Sequence, residues 1–365
     1  MKIINCVGTR PNLVKISPIV REMQKHDEIK QLLLHTGQHY DETLSKSFFK
    51  DLSIPEPDYN LGVGSKYDIE QTSEIMSKFK NVLTKEQPDL VLVVGDVNST
   101  LACALTAAKL HTPVAHVEAG LRSGNFRMQE EVNRVLTDRV SDYLFATTKD
   151  DVENLLSEGI RKEKVFLVGD VVVDALLHSV EKARESMVLQ RLGLGKGDYC
   201  LLTMHRAENV DYNEVLSEIV GALGEIQSRI KIVYPMHPRA RKMLRKFGFD
   251  KRMDRMKNLL VVEPQGYLDF MNLMSNSKCV ITDSGGVQSE TMILGVPCIT
   301  IRNETEWLIT VKHGTNVVVG TREDRITEET LRAIREPVKK AVLPKLWDGK
   351  TAERIVRILL ENYRS

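Results

Sequence analysis

At 365 residues the chain is too long for one ordinary hydrophobic core, and two domains are expected. Its 51 lysines and arginines are balanced by 50 aspartates and glutamates, so no overall field draws it toward nucleic acid or a membrane surface. Any anion it binds must be held by local groups, and no apolar run approaches the ~20 residues of a membrane span. The first seven residues read as a strand, not as a signal peptide. The cysteines (Cys6, Cys103, Cys200, Cys279 and Cys298) each sit singly in an apolar stretch, as buried free thiols do, with no disulfide framework or metal spacing. The expectation is a reduced, cytoplasmic protein.

From residue 2 to about 166, short apolar runs alternate with helical patterns, which predicts βα units and a parallel sheet. The first strand ends in Gly8-Thr9-Arg10-Pro11-Asn12, and a helix follows with Leu13, Ile16, Val20 and Met23 on one face. Arg10 and Lys15 thus flank a helix N-terminus at the carboxyl end of a strand, where open parallel sheets bind ligands. Two cations there could hold a phosphate, although taken alone the pair reads more readily as solvated surface charges. Leu32 to Leu34 form the next strand, and His35-Thr36-Gly37-Gln38-His39-Tyr40 reads as a hydrogen-bonded turn or cleft loop, not a metal site. Residues 47–66, with Pro55 and Pro57, read as an irregular or mobile connection. Residues 69–86 follow as an amphipathic helix with Met76, Phe79 and Leu83 inward.

Leu90-Val91-Leu92-Val93-Val94 is the clearest buried strand, closed by Gly95-Asp96, and the helix after Asn98 presents Leu101, Leu105 and Ala108. Asp96 is a carboxylate at the ligand edge, or simply a helix cap. The layout repeats in Val114-Ala115-His116-Val117 followed by a loop, Glu118-Ala119-Gly120-Leu121-Arg122. Next, Glu130, Asn133, Arg134 and Thr137 share one polar helix face, which in isolation reads as a solvated surface. A strand over 164–168 and a helix over 172–187 lead to a change in character at 190–198. Gly193, Gly195 and Gly197 there precede a strand, which excludes a dinucleotide fingerprint.

The second half repeats the alternation, with strands at 199–204, 231–234, 259–262 and 297–301. The most informative stretch is Cys279-Val280-Ile281-Thr282-Asp283-Ser284-Gly285-Gly286-Val287-Gln288-Ser289-Glu290. A buried strand breaks at Asp283-Ser284-Gly285-Gly286, and helical spacing resumes over 287–294. Small residues between a strand and a helix present free N–H groups and the positive end of a helix dipole, which favours a diphosphate. A tight turn with a Ser or Asp cap fits the same residues. The final helix, 351–362, is placed to pack back on the first domain. The inventory offers cations and several acids and bases, with no metal set, no nucleophile–base pair and no redox-cofactor signature. No cofactor is therefore expected.

Several motifs occur in order along nearly the whole chain: Gly8-Thr9-Arg10-Pro11, Gly95-Asp96, His116-Val117-Glu118-Ala119-Gly120-Leu121-Arg122, Glu130-Glu131 with Asn133-Arg134, His205-Arg206, Pro264-Gln265, and Thr282-Asp283-Ser284-Gly285-Gly286-Val287-Gln288. In these the chain resembles the non-hydrolysing UDP-N-acetylglucosamine 2-epimerases. The resemblance implies an α/β protein of two Rossmann-like domains facing across a cleft, the glycosyltransferase-B fold. The first domain would take residues 1–170 plus the returning helix 351–365, and the UDP-binding domain residues 171–350. It implies reversible conversion of UDP-N-acetylglucosamine to UDP-N-acetylmannosamine for cell-surface polysaccharide synthesis, by a homodimer. It also implies that Asp96, Glu118, Glu130 and His205 are catalytic, and that Arg10, Lys15, Gln265, Phe270, Ser284, Gly285, Gly286 and Glu290 hold UDP. Phe270 would lie near the base, and Glu290 would accept from the ribose hydroxyls.

The implied chemistry breaks the C1–O bond to UDP, so that charge growing at C1 acidifies the C2 proton. A base removes that proton, 2-acetamidoglucal and UDP are held together, and re-addition on the other face gives the epimer. Three places depart from the family pattern. Glu306-Trp307-Leu308-Ile309 stands where Glu-Arg-Pro-Glu is usual, with Arg302 a candidate replacement for the arginine. Met128-Gln129 replaces an aromatic–proline pair, and Gln38-His39-Tyr40 replaces Gln-His-Arg near where some bacterial members bind an activating second UDP-sugar. The competing readings are a glycosyltransferase of the same fold, a hydrolysing 2-epimerase and a catalytically silent UDP-sugar sensor.

Overall fold

The computed structural model describes residues 1–38 and 49–363. His39 and Tyr40 lie outside the described residues. The chain divides into two compact units: Met1–His178 with Pro344–Ser365, and Ser179–Leu343. The division falls within one helix, Val171–Arg184.

The first unit is built on a seven-stranded sheet of order β3-β2-β1-β4-β5-β6-β7. Its strands are β1 (Lys2–Val7), β2 (Lys30–His35), β3 (Tyr59–Asn60), β4 (Leu90–Val94), β5 (Val114–Ala119), β6 (Tyr143–Ala146) and β7 (Val165–Leu167), and every pairing is parallel. β1 and β4 are almost wholly buried, as strands covered by helices on both faces must be. The connection expected to be irregular in fact contributes β3, which adds to the sheet edge beside β2. The helix Asn98–Lys109 also departs from expectation. Ala102, Cys103, Ala104 and Ala107 are fully buried, while Leu105 and Ala108 are only partly so. This helix is flanked by helices Asp68–Glu86 and Gln129–Val140, and small side chains let three helices and a sheet approach closely.

The closing helix, Thr351–Tyr363, belongs to this first unit and packs on helix Arg10–Met23 through an apolar stripe of Ala352, Ile355, Val356 and Leu359. Hydrogen bonds secure it: the Ala352 N–H donates to Asp174 at 2.8 Å, and the Arg354 guanidinium donates to the Val168 carbonyl at 2.9 Å.

The second unit carries a six-stranded sheet of order β10-β9-β8-β11-β12-β13. Its strands are β8 (Tyr199–Thr203), β9 (Lys231–Pro235), β10 (Leu259–Val262), β11 (Cys279–Thr282), β12 (Cys298–Thr300) and β13 (Asn316–Val318), again all parallel. β13, short and polar at its start, has no clear signature in the sequence. All five cysteines are buried free thiols. No helix among the described residues is long and apolar enough to cross a membrane.

Both sheets reverse their winding once: between β1 and β4 in the first, and between β8 and β11 in the second. At such a switch point the loops leaving the carboxyl ends of two neighbouring strands diverge, leaving a crevice. Gly8 to Arg10 and Gly95-Asp96 leave the first switch point; His205-Arg206 and Asp283 to Gly286 leave the second.

Candidate active site

At the first switch point Asn12 ties the two strand ends together. Its carbonyl oxygen accepts from the backbone N–H of Gly8 and Thr9, and its amide donates to the Val94 carbonyl at 3.0 Å. Helix Arg10–Met23 therefore starts from a fixed point, with Pro11 in its first turn where the missing N–H costs nothing. Arg10, half-buried, opens the helix, and Lys15 projects toward β5. The Lys15 ammonium lies 2.5 Å from Glu118 Oε2. Burial alone would lower the Lys15 pKa, but the carboxylates of Glu118, Asp96 and Asp170 outweigh it, and the net direction is up.

Glu118 departs from its expected place. It lies within β5 and not in the loop after it, at a register shift between Val117 and Ala119, with φ at +69°. A side chain in the left-handed region costs of order 1 kcal/mol, and such strain collects at functional sites. The residue is 2% exposed. Its Oε1 is buried without a hydrogen-bond partner among the described residues, while Oε2 holds Lys15. Burial pushes its carboxyl pKa up, against the opposing pull of Lys15. Gly95, at φ +72°, leaves room for this pair, since a Cβ there would stand 3.2 Å from the Lys15 ammonium.

Asp96 accepts a 2.6 Å ion pair from Arg134, and its backbone carbonyl accepts from the Asn133 amide at 3.0 Å. Arg134 is 1% exposed and also pairs with Glu131, whose carboxylate accepts from the backbone N–H of Ser123 and Gly124. The helix face bearing Asn133, Arg134 and Thr137 is thus buried, not solvated. Glu130 stands one turn before Arg134 on that face, half-exposed. Beneath these groups His116 spans the Gly95 carbonyl at 2.8 Å and Asp138 at 2.7 Å.

At the second switch point helix Gly285–Leu294 starts earlier than expected, with Ser284 as its N-cap. Gly285 and Gly286 therefore belong to the first turn, where their N–H groups have no helical acceptor. The two glycines differ. A Cβ on Gly285 would stand 2.7 Å from Glu306 Oε1 and 3.0 Å from the Trp307 indole nitrogen, whereas nothing lies within 4 Å of one on Gly286. Glu290 is buried on the same helix.

Trp307, in the place of the family arginine, is 3% exposed and occupies the space behind Gly285. Arg302 is as buried and pairs with Glu306 at 2.9 Å and Glu208 at 3.5 Å. Arg206, partly exposed, lies 3.7 Å from Glu306. Two guanidinium groups, Arg206 and Arg302, thus face Glu306 next to the turn, with Glu208 a second carboxylate on Arg302.

His205, after β8, is 42% exposed in its side chain, and its Nδ1 lies 3.0 Å from Asp283 Oδ1. Asp283 is fully buried. Burial would raise its pKa, but His205 and the backbone N–H groups of Arg206 and His205 prevail and hold it at about 2. The His237 ring stands 5.7 Å from that of His205. Gln265 accepts from Arg191 at 2.9 Å and donates to the Glu263 carbonyl; Phe270 packs, partly buried, on the core beneath β11.

The sequence-derived set therefore falls into two groups. Arg10, Lys15, Asp96, Glu118 and Glu130 belong to the first unit; His205, Gln265, Phe270, Ser284, Gly285, Gly286 and Glu290 belong to the second. Sequence reasoning left out Glu131, Arg134 and Asp283 as site residues. Asp283 follows an apolar strand just as Asp96 does, so the same signal was present there. His35, in the turn that begins the departure at residues 38–40, accepts from the Gly37 N–H at 2.9 Å, and burial lowers its pKa to about 4. Gln38 accepts from the Ser99 N–H and hydroxyl.

Comparison with known proteins gives a consistent match. The family model described as UDP-N-acetylglucosamine 2-epimerase matches residues 21–360. The UDP-N-acetylglucosamine 2-epimerase of Methanocaldococcus jannaschii is 44% identical over 364 residues, covering 98% of this chain and 99% of the relative. Its crystal structure in complex with UDP-GlcNAc and UDP superposes with a TM-score of 0.94, covering 99% of this chain and 100% of that one. The UDP-2,3-diacetamido-2,3-dideoxy-D-glucuronate 2-epimerase of Pseudomonas aeruginosa is 41% identical over 343 residues, covering 93% of this chain and 94% of that relative.

Proposed function

Since the chain belongs to the UDP-N-acetylglucosamine 2-epimerase family, we propose that it interconverts UDP-N-acetylglucosamine and UDP-N-acetylmannosamine by eliminating UDP to 2-acetamidoglucal and adding it back. It is an isomerase of two parallel-sheet α/β units with the glycosyltransferase-B type of fold. One observation carries the chemistry best: Glu118, buried and strained, with one oxygen on Lys15 and the other uncommitted. A carboxyl so placed, its pKa raised by burial, is suited to take and return the proton on C2. Asp96, held by Arg134, and Glu130 are the other proton-handling candidates.

The departing diphosphate needs fixed positive charge at the moment the C1–O bond breaks. The free N–H groups of Gly285 and Gly286, together with Arg10 and His205, supply it. Lys15 has three donors, so its bond to Glu118 leaves two for a phosphate oxygen. Glu290 accepts from the ribose, with Gln265 and Phe270 toward the base. We further propose a cytoplasmic homodimer feeding polysaccharide synthesis; light scattering would read roughly twice 41.4 kDa.

The test is incubation of the protein with UDP-N-acetylglucosamine in heavy water, without added metal, nicotinamide or acceptor. The expected result is deuterium at sugar carbon 2 and a mixture of two UDP-sugars. Free N-acetylmannosamine would mark a hydrolysing enzyme, dependence on an acceptor a glycosyltransferase, and binding without exchange a sensor. The Pseudomonas relative motivates a parallel arm with UDP-2,3-diacetamido-2,3-dideoxy-D-glucuronate, and exchange on that sugar alone would reassign the substrate.

The glycine pair gives a second expectation. Gly286→Ala, with open space for its methyl, should hold or raise stability by about 0.4–1 kcal/mol yet weaken UDP binding, because the methyl stands over the donor N–H groups. Gly285→Ala should lower stability by about 1–3 kcal/mol, since buried Glu306 and Trp307 must move. Thermal melts and calorimetric UDP titrations of the two variants separate these effects.

A further inference from the structure

Asp283 is a fully buried carboxylate whose two oxygens have different tasks. Oδ2 accepts from the backbone N–H of His205 at 2.8 Å, the backbone N–H of Arg206 at 2.9 Å and the Asn209 amide at 3.3 Å. It therefore fixes the loop that leaves β8. Oδ1 is turned to the His205 ring, 3.0 Å from Nδ1. Oδ1 is buried and makes no other polar contact among the described residues, so the ring is its one facing group. The ring is bounded on another side by His237, at 5.7 Å between centroids. Nε2 of His205 has no partner among the described residues, and the ring is open to solvent.

We infer that Asp283 is a positioning residue for the epimerisation, holding His205 with its proton on Nδ1 so that Nε2 is presented to the reacting nucleotide-sugar. The inference rests on the proposed role of His205 and extends it to a buried partner. Its physical content is the tautomer. A carboxylate oxygen facing Nδ1 only accepts, so Nδ1 must carry hydrogen, and the neutral ring offers a lone pair at Nε2. Protonated, the ring offers an Nε2–H to a leaving phosphate oxygen, and Nε2 can then release that proton. With asparagine at 283, the side-chain oxygen stays with the two backbone N–H groups and the amide turns its NH₂ to the ring. Nδ1 becomes an acceptor, and the neutral ring is locked with hydrogen on Nε2. Nε2 can then donate but cannot take up a proton. The loop bonds survive, so the exchange alters proton placement with little change in shape.

Two measurements on the full-length protein test this. The first is the ¹⁵N signature of the His205 ring, assigned by its loss in His205→Gln. Wild type should show a protonated Nδ1 and an unprotonated Nε2 at high pH, and Asp283→Asn should reverse them. An unreversed signature would overturn the inference whether or not the protein is an epimerase. The second is turnover. Asp283→Asn should lower kcat by about 10²–10⁴-fold without weakening UDP binding, as expected when a carboxylate that sets a histidine tautomer is lost. In a His205→Ala background the same change should have almost no further effect. An equal loss in both backgrounds would show that Asp283 acts by shaping the phosphate turn, and would sink the assignment. Absence of C2 exchange in wild type would instead count against the proposed reaction, leaving the ring signature to decide the pairing.

Discussion

Glu118→Gln should lower turnover of UDP-N-acetylglucosamine by at least about 10²-fold and as much as about 10⁴-fold, with UDP affinity within a few-fold of wild type. Glutamine matches the shape of glutamate, so the cost is confined to proton transfer and to the bond with Lys15. The wild-type pH profile of kcat/KM should show an acid limb from this group above the ordinary glutamate value of about 4.3, because burial favours its neutral form. That limb should vanish in the variant. The expectation is specific to Glu118 because its Oε1 is buried and unclaimed, whereas Asp96 is paired to Arg134 and Glu130 is half-exposed. Retained turnover in Glu118→Gln, measured as deuterium entry at carbon 2, would remove this residue from the chemistry.

The sequence made the strands at β4, β8 and β11 readable because each is an apolar run closed by glycine or a polar residue, and β1 readable despite Asn5 because Ile3, Ile4, Cys6 and Val7 surround it. Those same four strands are the ones that border the switch points, so the location of the ligand edge was also readable. The geometry within that edge was not. Glu118 looks like a loop residue because nothing in Val117-Glu118-Ala119 announces a register shift; the bulge arises from pairing with β6, a long-range contact. Arg134 looks like a surface residue because Gln129–Val140 is polar on most sides. It is buried because Asp96 and Glu131, far apart in sequence from one another, neutralise it together. Gly285 and Gly286 resemble a loop by their low helix propensity, yet a strand-to-helix turn capped by Ser284 places them in the helix. For Glu118 and Arg134 tertiary pairing overrode a local signal.

Lys15→Met should be the most damaging single change in the first unit's site. The Lys15–Glu118 pair is almost wholly removed from solvent, with side chains 12% and 2% exposed. Removing one member of a buried pair leaves the other charge without compensation, and the usual loss is about 3–5 kcal/mol. The pH dependence has a definite sign. Without the ammonium, burial raises the folded-state pKa of Glu118 further, while its unfolded value stays near about 4.3. A group whose acid form is favoured in the folded state weakens folding once pH exceeds the unfolded pKa, and the loss grows until the folded pKa is passed. The deficit of Lys15→Met relative to wild type should therefore be small at about pH 4 and grow toward neutrality. Adding Glu118→Gln should recover much of it, since an amide in that site needs no counter-ion. Denaturant unfolding of both single variants and the double, at acidic and neutral pH, closes the cycle. Additive losses with no pH dependence would mean that the two side chains do not form a charged pair, and would withdraw the electrostatic basis for Glu118 as the proton-transfer group.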